Sequence, residues 1–188
     1  MRAQIAIRRN GFVNASAPDL KQALRPVPTY ERAVREVSRM LAAAGIRHAL
    51  AGALAANAYR IRPRTTEDID FLVGEEALEV HPGGLVTLRV PVIAFDGVAV
   101  DQVPIGDALR VLEEGLDRAP VSDGVPIAAL DTIVVMKLLA GRTQDLADVE
   151  AIASSGVDRE SLRAAVQRLI PDRAPTLERL FENADRSR

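Results

Sequence analysis

The chain has 188 residues, 48% of them hydrophobic and 27% charged, which is ordinary globular usage and suits one compact domain or one domain with a small appendage. With no cysteine, no tryptophan and only His48 and His81 as imidazoles, it excludes disulfides, thiolate zinc sites, cysteine nucleophiles and a His-rich metal centre. Aromatics at 3% exclude a base-stacking platform, and the net charge of −2 hides a split between +9 in residues 1–65 and −11 in residues 66–188.

The opening MRAQIAIRRNGF lacks an apolar run long enough for a signal peptide or membrane helix, so a cytoplasmic location without membrane contact is expected. Residues 1–27 read as an irregular basic arm with a short helix near Ala17–Leu24, punctuated by Pro26 and Pro28. From Thr29, the spacing Tyr30, Val34, Val37, Leu41 predicts a helix ending at Gly45. Ile46–Gly52 reads as a strand and Ala53–Tyr59 as a short Ala-rich helix. The basic loop RIRPRT follows; its Arg60, Arg62 and Arg64 are either solvated or in contact with phosphate or an acceptor. Glu67–Val73 is an alternating strand closed by Gly74.

Two apolar runs, Leu85–Phe95 and Val98–Val103, flank Asp96-Gly97 and predict a hairpin. Ile105–Gly115 reads as a helix, Pro120 and Pro126 bracket an extended piece, and helices are expected over 128–140, 144–154, 158–170 and 173–184. The fold class is therefore α+β, with a core over 1–125 that includes the basic arm and a helical region over 126–188 packed on it.

Asp68-Ile69-Asp70 carries the chemistry. On a strand, residues i and i+2 share a face, so both carboxylates stand about 6–7 Å apart and repel by roughly 2–3 kcal/mol at an effective dielectric near 20. A hard, oxygen-ligated cation such as magnesium, present as two ions, would relieve that repulsion. Asp-x-Asp alone is equally compatible with a solvated edge strand. Asp101, isolated among apolar residues in VAVDQVP, is either a third ligand, if its strand lies beside Glu67–Val73, or a solvent-facing residue. Gly52 opens a helix where phosphate could approach the bare backbone.

With these residues in place, ALAGALAANAYRIRPRTTEDIDFLV resembles the minimal nucleotidyltransferase superfamily, the DNA polymerase beta-like fold. Gly52 matches the first glycine of that pattern, Arg64 and Thr66 its Arg-x-Thr element, and Asp68 and Asp70 its metal carboxylates. Ala53 departs from it, standing where the family usually has Gly or Ser. The stretch PIAALDTIVVMKLLAGRTQDLADVEAI resembles the closing segment of AbiEii-like and MenT-like toxin nucleotidyltransferases, with Lys137, Arg142, Asp145 and Asp148 at the matching positions and a shorter Lys-to-Asp spacing.

The resemblance covers about residues 30–152. It implies a mixed sheet flanked by helices and transfer of a nucleotide from an NTP to an acceptor hydroxyl. It further implies tRNA as acceptor and a cognate antitoxin as partner. Nucleotide binding would fall to Gly52, Ala53, Arg64, Thr66, Lys137, Arg142, Asp145 and Asp148. A small-molecule acceptor, as in antibiotic nucleotidyltransferases, and a degenerate binding module are the alternatives. Lys137 is one of only two lysines and lies in a helix apolar nearly all round, so its ammonium needs an anion: a triphosphate, or Asp145 and Asp148.

Overall fold

The structure, a computed structural model, describes residues 17–89 and 93–187. Residues 1–16 of the expected basic arm and residues 90–92 of the expected hairpin lie outside that range. The order is α1 (Leu20–Leu24), α2 (Glu31–Ala43), β1 (His48–Leu50), α3 (Gly52–Asn57), β2 (Asp68–Val73), β3 (Leu78–Val80), β4 (Val86–Leu88), β5 (Ala94–Phe95) and β6 (Val98–Pro104). Then come α4 (Glu113–Asp117), β7 (Val121–Ser122), β8 (Val125–Pro126), α5 (Leu130–Ala140), α6 (Thr143–Ala153), α7 (Arg159–Leu169) and α8 (Ala174–Arg186).

The main sheet has four strands in the order β1-β2-β6-β5. Its two central strands run parallel, whereas β1 and β5 are antiparallel to their neighbours. The class is mixed α+β, as the sequence predicts. The register sets Asp70 directly beside Asp101. Because β2 alternates, Ile69, Phe71 and Val73 are buried on one face, and Asp68 and Asp70 are half-buried on the other. Each fully buried Leu, Ile or Phe on such a strand contributes about 1.5–3 kcal/mol.

Several boundaries differ from expectation. Pro28–Tyr30 is a 3-10 turn, so α2 begins at Glu31 and Thr29 caps nothing. β1 is shorter than Ile46–Gly52, since Gly52 already belongs to α3. The expected hairpin is only partly formed. Asp96-Gly97, both at positive φ, turn β5 into β6, while Val86–Leu88 pairs with Leu78–Val80 in a separate two-stranded sheet. Ile105–Gly115 is broken into a 3-10 segment, Asp107–Leu112, followed by α4.

The segment leading into α5 joins the sheet layer, where Ala128 N–H donates to Leu50 O at 2.9 Å, and the α5 side chains Ile133, Val134, Val135 and Leu138 are buried in the same core as the strands. Among the described residues, no helix is long and apolar enough to cross a membrane. His48 belongs to this core. Its Nδ1–H donates to Ile46 O at 2.9 Å and its Nε2 accepts from Ser38 Oγ at 2.8 Å, while burial holds its pKa below the usual imidazole value.

Candidate active site

Parallel pairing of β2 with β6 brings three carboxylates together. Asp68, Asp70 and Asp101 each offer an oxygen within 4.8 Å of the others, closer than strand spacing alone implies. Burial first, then the Asp68 and Asp101 charges, push the Asp70 carboxyl up to about 6. Lys137 and the Ala53 backbone N–H oppose the rise. Thr66 Oγ1 donates to Asp68 Oδ1 at 2.5 Å.

Gly52 stands at φ +57, and a Cβ there would meet Asp70 Oδ2 at 1.7 Å. Its missing side chain therefore makes room for a carboxylate of the triad, whereas the sequence suggested room for a phosphate. Ala53 contributes through its backbone N–H, which a serine at the same position would also supply.

The donor set fits a divalent hard cation. It is all oxygen, carries three negative charges, and holds one carboxyl that resists ionising next to the other two. Asp68, Asp70 and Asp101 would hold such ions.

Beside the triad lies a second charge cluster. Lys137, 5% exposed, donates to Asp148 Oδ2 at 2.7 Å and Asp145 Oδ1 at 3.2 Å. Asp148 is fully buried and also receives Arg60 Nη1 at 2.6 Å, the Arg64 fork at 2.9 and 3.0 Å, and Gln144 Nε2 at 3.4 Å. Burial acts against its charge, but Arg64 and Lys137 outweigh it and hold the carboxyl down at about 2. Arg142 Nε donates to Asp145 Oδ2 at 2.6 Å. Four cations, Arg60, Arg64, Lys137 and Arg142, thus meet two carboxylates, leaving two positive charges in surplus.

Of the two anions open to Lys137 in the sequence, the structure pairs it with both aspartates. Arg60 and Arg64 pair with Asp148, Arg64 keeping part of its surface open to the cleft; of the three loop arginines only Arg62 is exposed.

The triad and part of the cationic cluster meet at a cleft of about 730 Å³, which Gly52, Ala53, Arg64, Thr66, the three triad aspartates, Lys137, Arg142 and Asp145 line. Asp148 lies behind them. Sequence reasoning missed the anchors of the loop: Asn57, fully buried, accepts from Arg64 N–H at 3.0 Å and donates to Arg64 O at 2.8 Å, and Tyr30 Oη donates to Thr66 O at 3.2 Å. A buried Asn at the end of an Ala-rich helix was the available signal. It also missed the carbon wall of the cleft, made by Val103, Leu109, Leu112, Ile133, Met136 and Leu139, which in sequence look like core residues.

No protein-family model and no curated protein matches the chain. Among solved structures, it overlays the crystal structure of an antigenic nucleotidyltransferase-like protein from Paracoccidioides brasiliensis at 17% identity, covering 88% of this chain and 95% of that chain, with a TM-score of 0.47.

Proposed function

We propose that the chain is a magnesium-dependent nucleotidyltransferase that moves a nucleoside monophosphate from an NTP to an acceptor hydroxyl. The observation that carries this reading is the convergence of Asp68, Asp70 and Asp101 in a cleft that also holds a cationic cluster. The sequence resemblance at Gly52, Arg64, Thr66 and Lys137 supports it.

The acceptor oxygen forms a bond to the α-phosphorus as the bond to the bridging oxygen breaks. Pyrophosphate leaves and the hydroxyl proton is released. Two divalent ions held by the triad would lower the hydroxyl pKa and steady the leaving phosphates. Lys137, Arg64 and Arg142 supply the positive surplus that draws the triphosphate to this end of the cleft. Ala53 N–H and the bare Gly52 hold Asp70 in place, and Thr66 orients Asp68.

In this reading the acceptor is tRNA and the chain is the toxin of a toxin–antitoxin pair, as the resemblance implies. A second acceptor class, a small hydroxylated compound, is favoured by the pairing of the described arginines: Arg32, Arg35 and Arg39 meet Asp96, Glu31 and Glu36, and Arg60 and Arg64 meet Asp148. Incubation with each radiolabelled NTP, magnesium and either total tRNA or a panel of hydroxylated small molecules decides between them. Label is expected on one acceptor class and none with Asp70→Asn. Absence of transfer from all four NTPs overturns the reading.

A further inference from the structure

The cleft has a side that the chemistry above does not use. Leu109 and Leu112, on the 3-10 segment after β6, and Ile133, Met136 and Leu139, on α5, line it with apolar side chains. Leu112 and Ile133 are buried, whereas Leu109, Met136 and Leu139 keep part of their surface open to the cleft. The cationic side chains of the lining are already engaged with Asp145 and Asp148. Arg64 forks onto Asp148, Lys137 bridges both aspartates and Arg142 holds Asp145. Gln144, the lining amide, donates to Asp148.

An NTP has two unlike ends. Its triphosphate is matched by the surplus cations and the carboxylate triad, which leaves its base for the carbon wall. We infer that the base packs on Leu109, Met136 and Leu139 without side-chain hydrogen bonds to its edge, so that the site accepts all four NTPs and separates them by no more than apolar contact allows. The inference rests on the nucleotidyltransferase reading. Its physical basis is the asymmetry of recognition energies. Apolar contact separates related substrates by roughly 10- to 200-fold, whereas a site built to hydrogen-bond one substrate rejects the analogue by about 10⁴-fold or more.

The test measures binding of the full chain to the α,β-methylene analogues of ATP, GTP, CTP and UTP, with magnesium, by calorimetry, beside inorganic tripolyphosphate. Four dissociation constants within about 200-fold of each other are expected. Met136→Ala should weaken all four by a similar factor, roughly tenfold, and leave tripolyphosphate unchanged. Leu109→Ala, on a different element, should do the same and serves if Met136→Ala does not fold. A wider preference for one base overturns the tolerance and leaves the transferase reading standing. Unchanged nucleotide binding in both variants overturns the placement of the base. Failure of all four analogues to bind removes the transferase reading, and this inference with it.

Discussion

Gly52→Ala separates backbone strain from damage to the carboxylate triad. An alanine at φ +57 costs about 1–2 kcal/mol because its Cβ crowds the backbone in the left-handed region. The new Cβ would also sit 1.7 Å from Asp70 Oδ2, 2.4 Å from Cγ and 2.8 Å from Cβ. Ordinary contact lies near 3.5 Å, so the carboxylate has to move by roughly 1.5–2 Å. That movement removes the Ala53 hydrogen bond but also eases the repulsion from Asp68 and Asp101, so the two effects on stability oppose each other.

Gly45→Ala is the matched control, with φ +70 and nothing within 4 Å of the added Cβ. In urea unfolding both variants should lose about 1–2 kcal/mol. Only Gly52→Ala should lose divalent-cation affinity, by about 10- to 100-fold in a manganese titration, and nucleotide transfer by at least about 100-fold. Equal cation affinity in the two variants would refute the assignment of Gly52 as the cradle of Asp70.

Three further outcomes follow from the same geometry. Asp70→Asn should abolish transfer and, in metal-free protein at pH 7.5, stabilise the fold by about 2 kcal/mol in urea unfolding, since burial, Asp68 and Asp101 all disfavour its charge; full activity would sink the mechanism. Asp148, held near 2 against an unfolded value near 3.9, contributes about 2 kcal/mol that is complete above pH 4 and is lost as the pH falls towards 2. Asp148→Asn should therefore cost about 3 kcal/mol at neutral pH and flatten acid unfolding in that window, and an unaltered acid profile would contradict the assignment. If tRNA is the acceptor, its affinity should fall with salt at a slope of about −0.7 to −0.9 per phosphate contact, and Arg62→Glu should flatten that slope; a flat wild-type profile points to a small hydroxylated acceptor.

The elements that were legible in the sequence are those whose pattern is local. Asp68 and Asp70 share a face because strands alternate, and Asp96-Gly97 turns because both residues reach positive φ there. The 85–95 run misled because alternation shows that a segment is a strand and says nothing about its partner. Val86–Leu88 found Leu78–Val80 in place of β6. Asp101 stands in the sequence as a third ligand only if its strand lies beside Glu67–Val73; the parallel register meets that condition by setting it beside Asp70, a contact across 31 positions of sequence. Asn57, Tyr30 and the carbon wall were hidden because nothing local distinguishes a residue that lines a cleft from one that fills a core.

Lys137 shows why the charges of the site have to be weighed together. As one ammonium between two aspartates it looks purely structural, and breaking such a buried pair is costly. Yet Arg60 and Arg64 bind the same Asp148, and Arg142 binds the same Asp145, so the cluster keeps more cations than its own carboxylates need. The triad beside it has the opposite surplus. The two clusters stand apart in the structure: Asp70 is held by Ala53 N–H over the bare Gly52, the Arg64 backbone is held by Asn57, and Lys137 projects from α5 onto Asp145 and Asp148. Divalent cations alone relieve the triad and leave the cations unanswered, whereas a triphosphate alone does the reverse. A metal–triphosphate pair answers both, and the fold holds the two clusters apart at the spacing of one cleft.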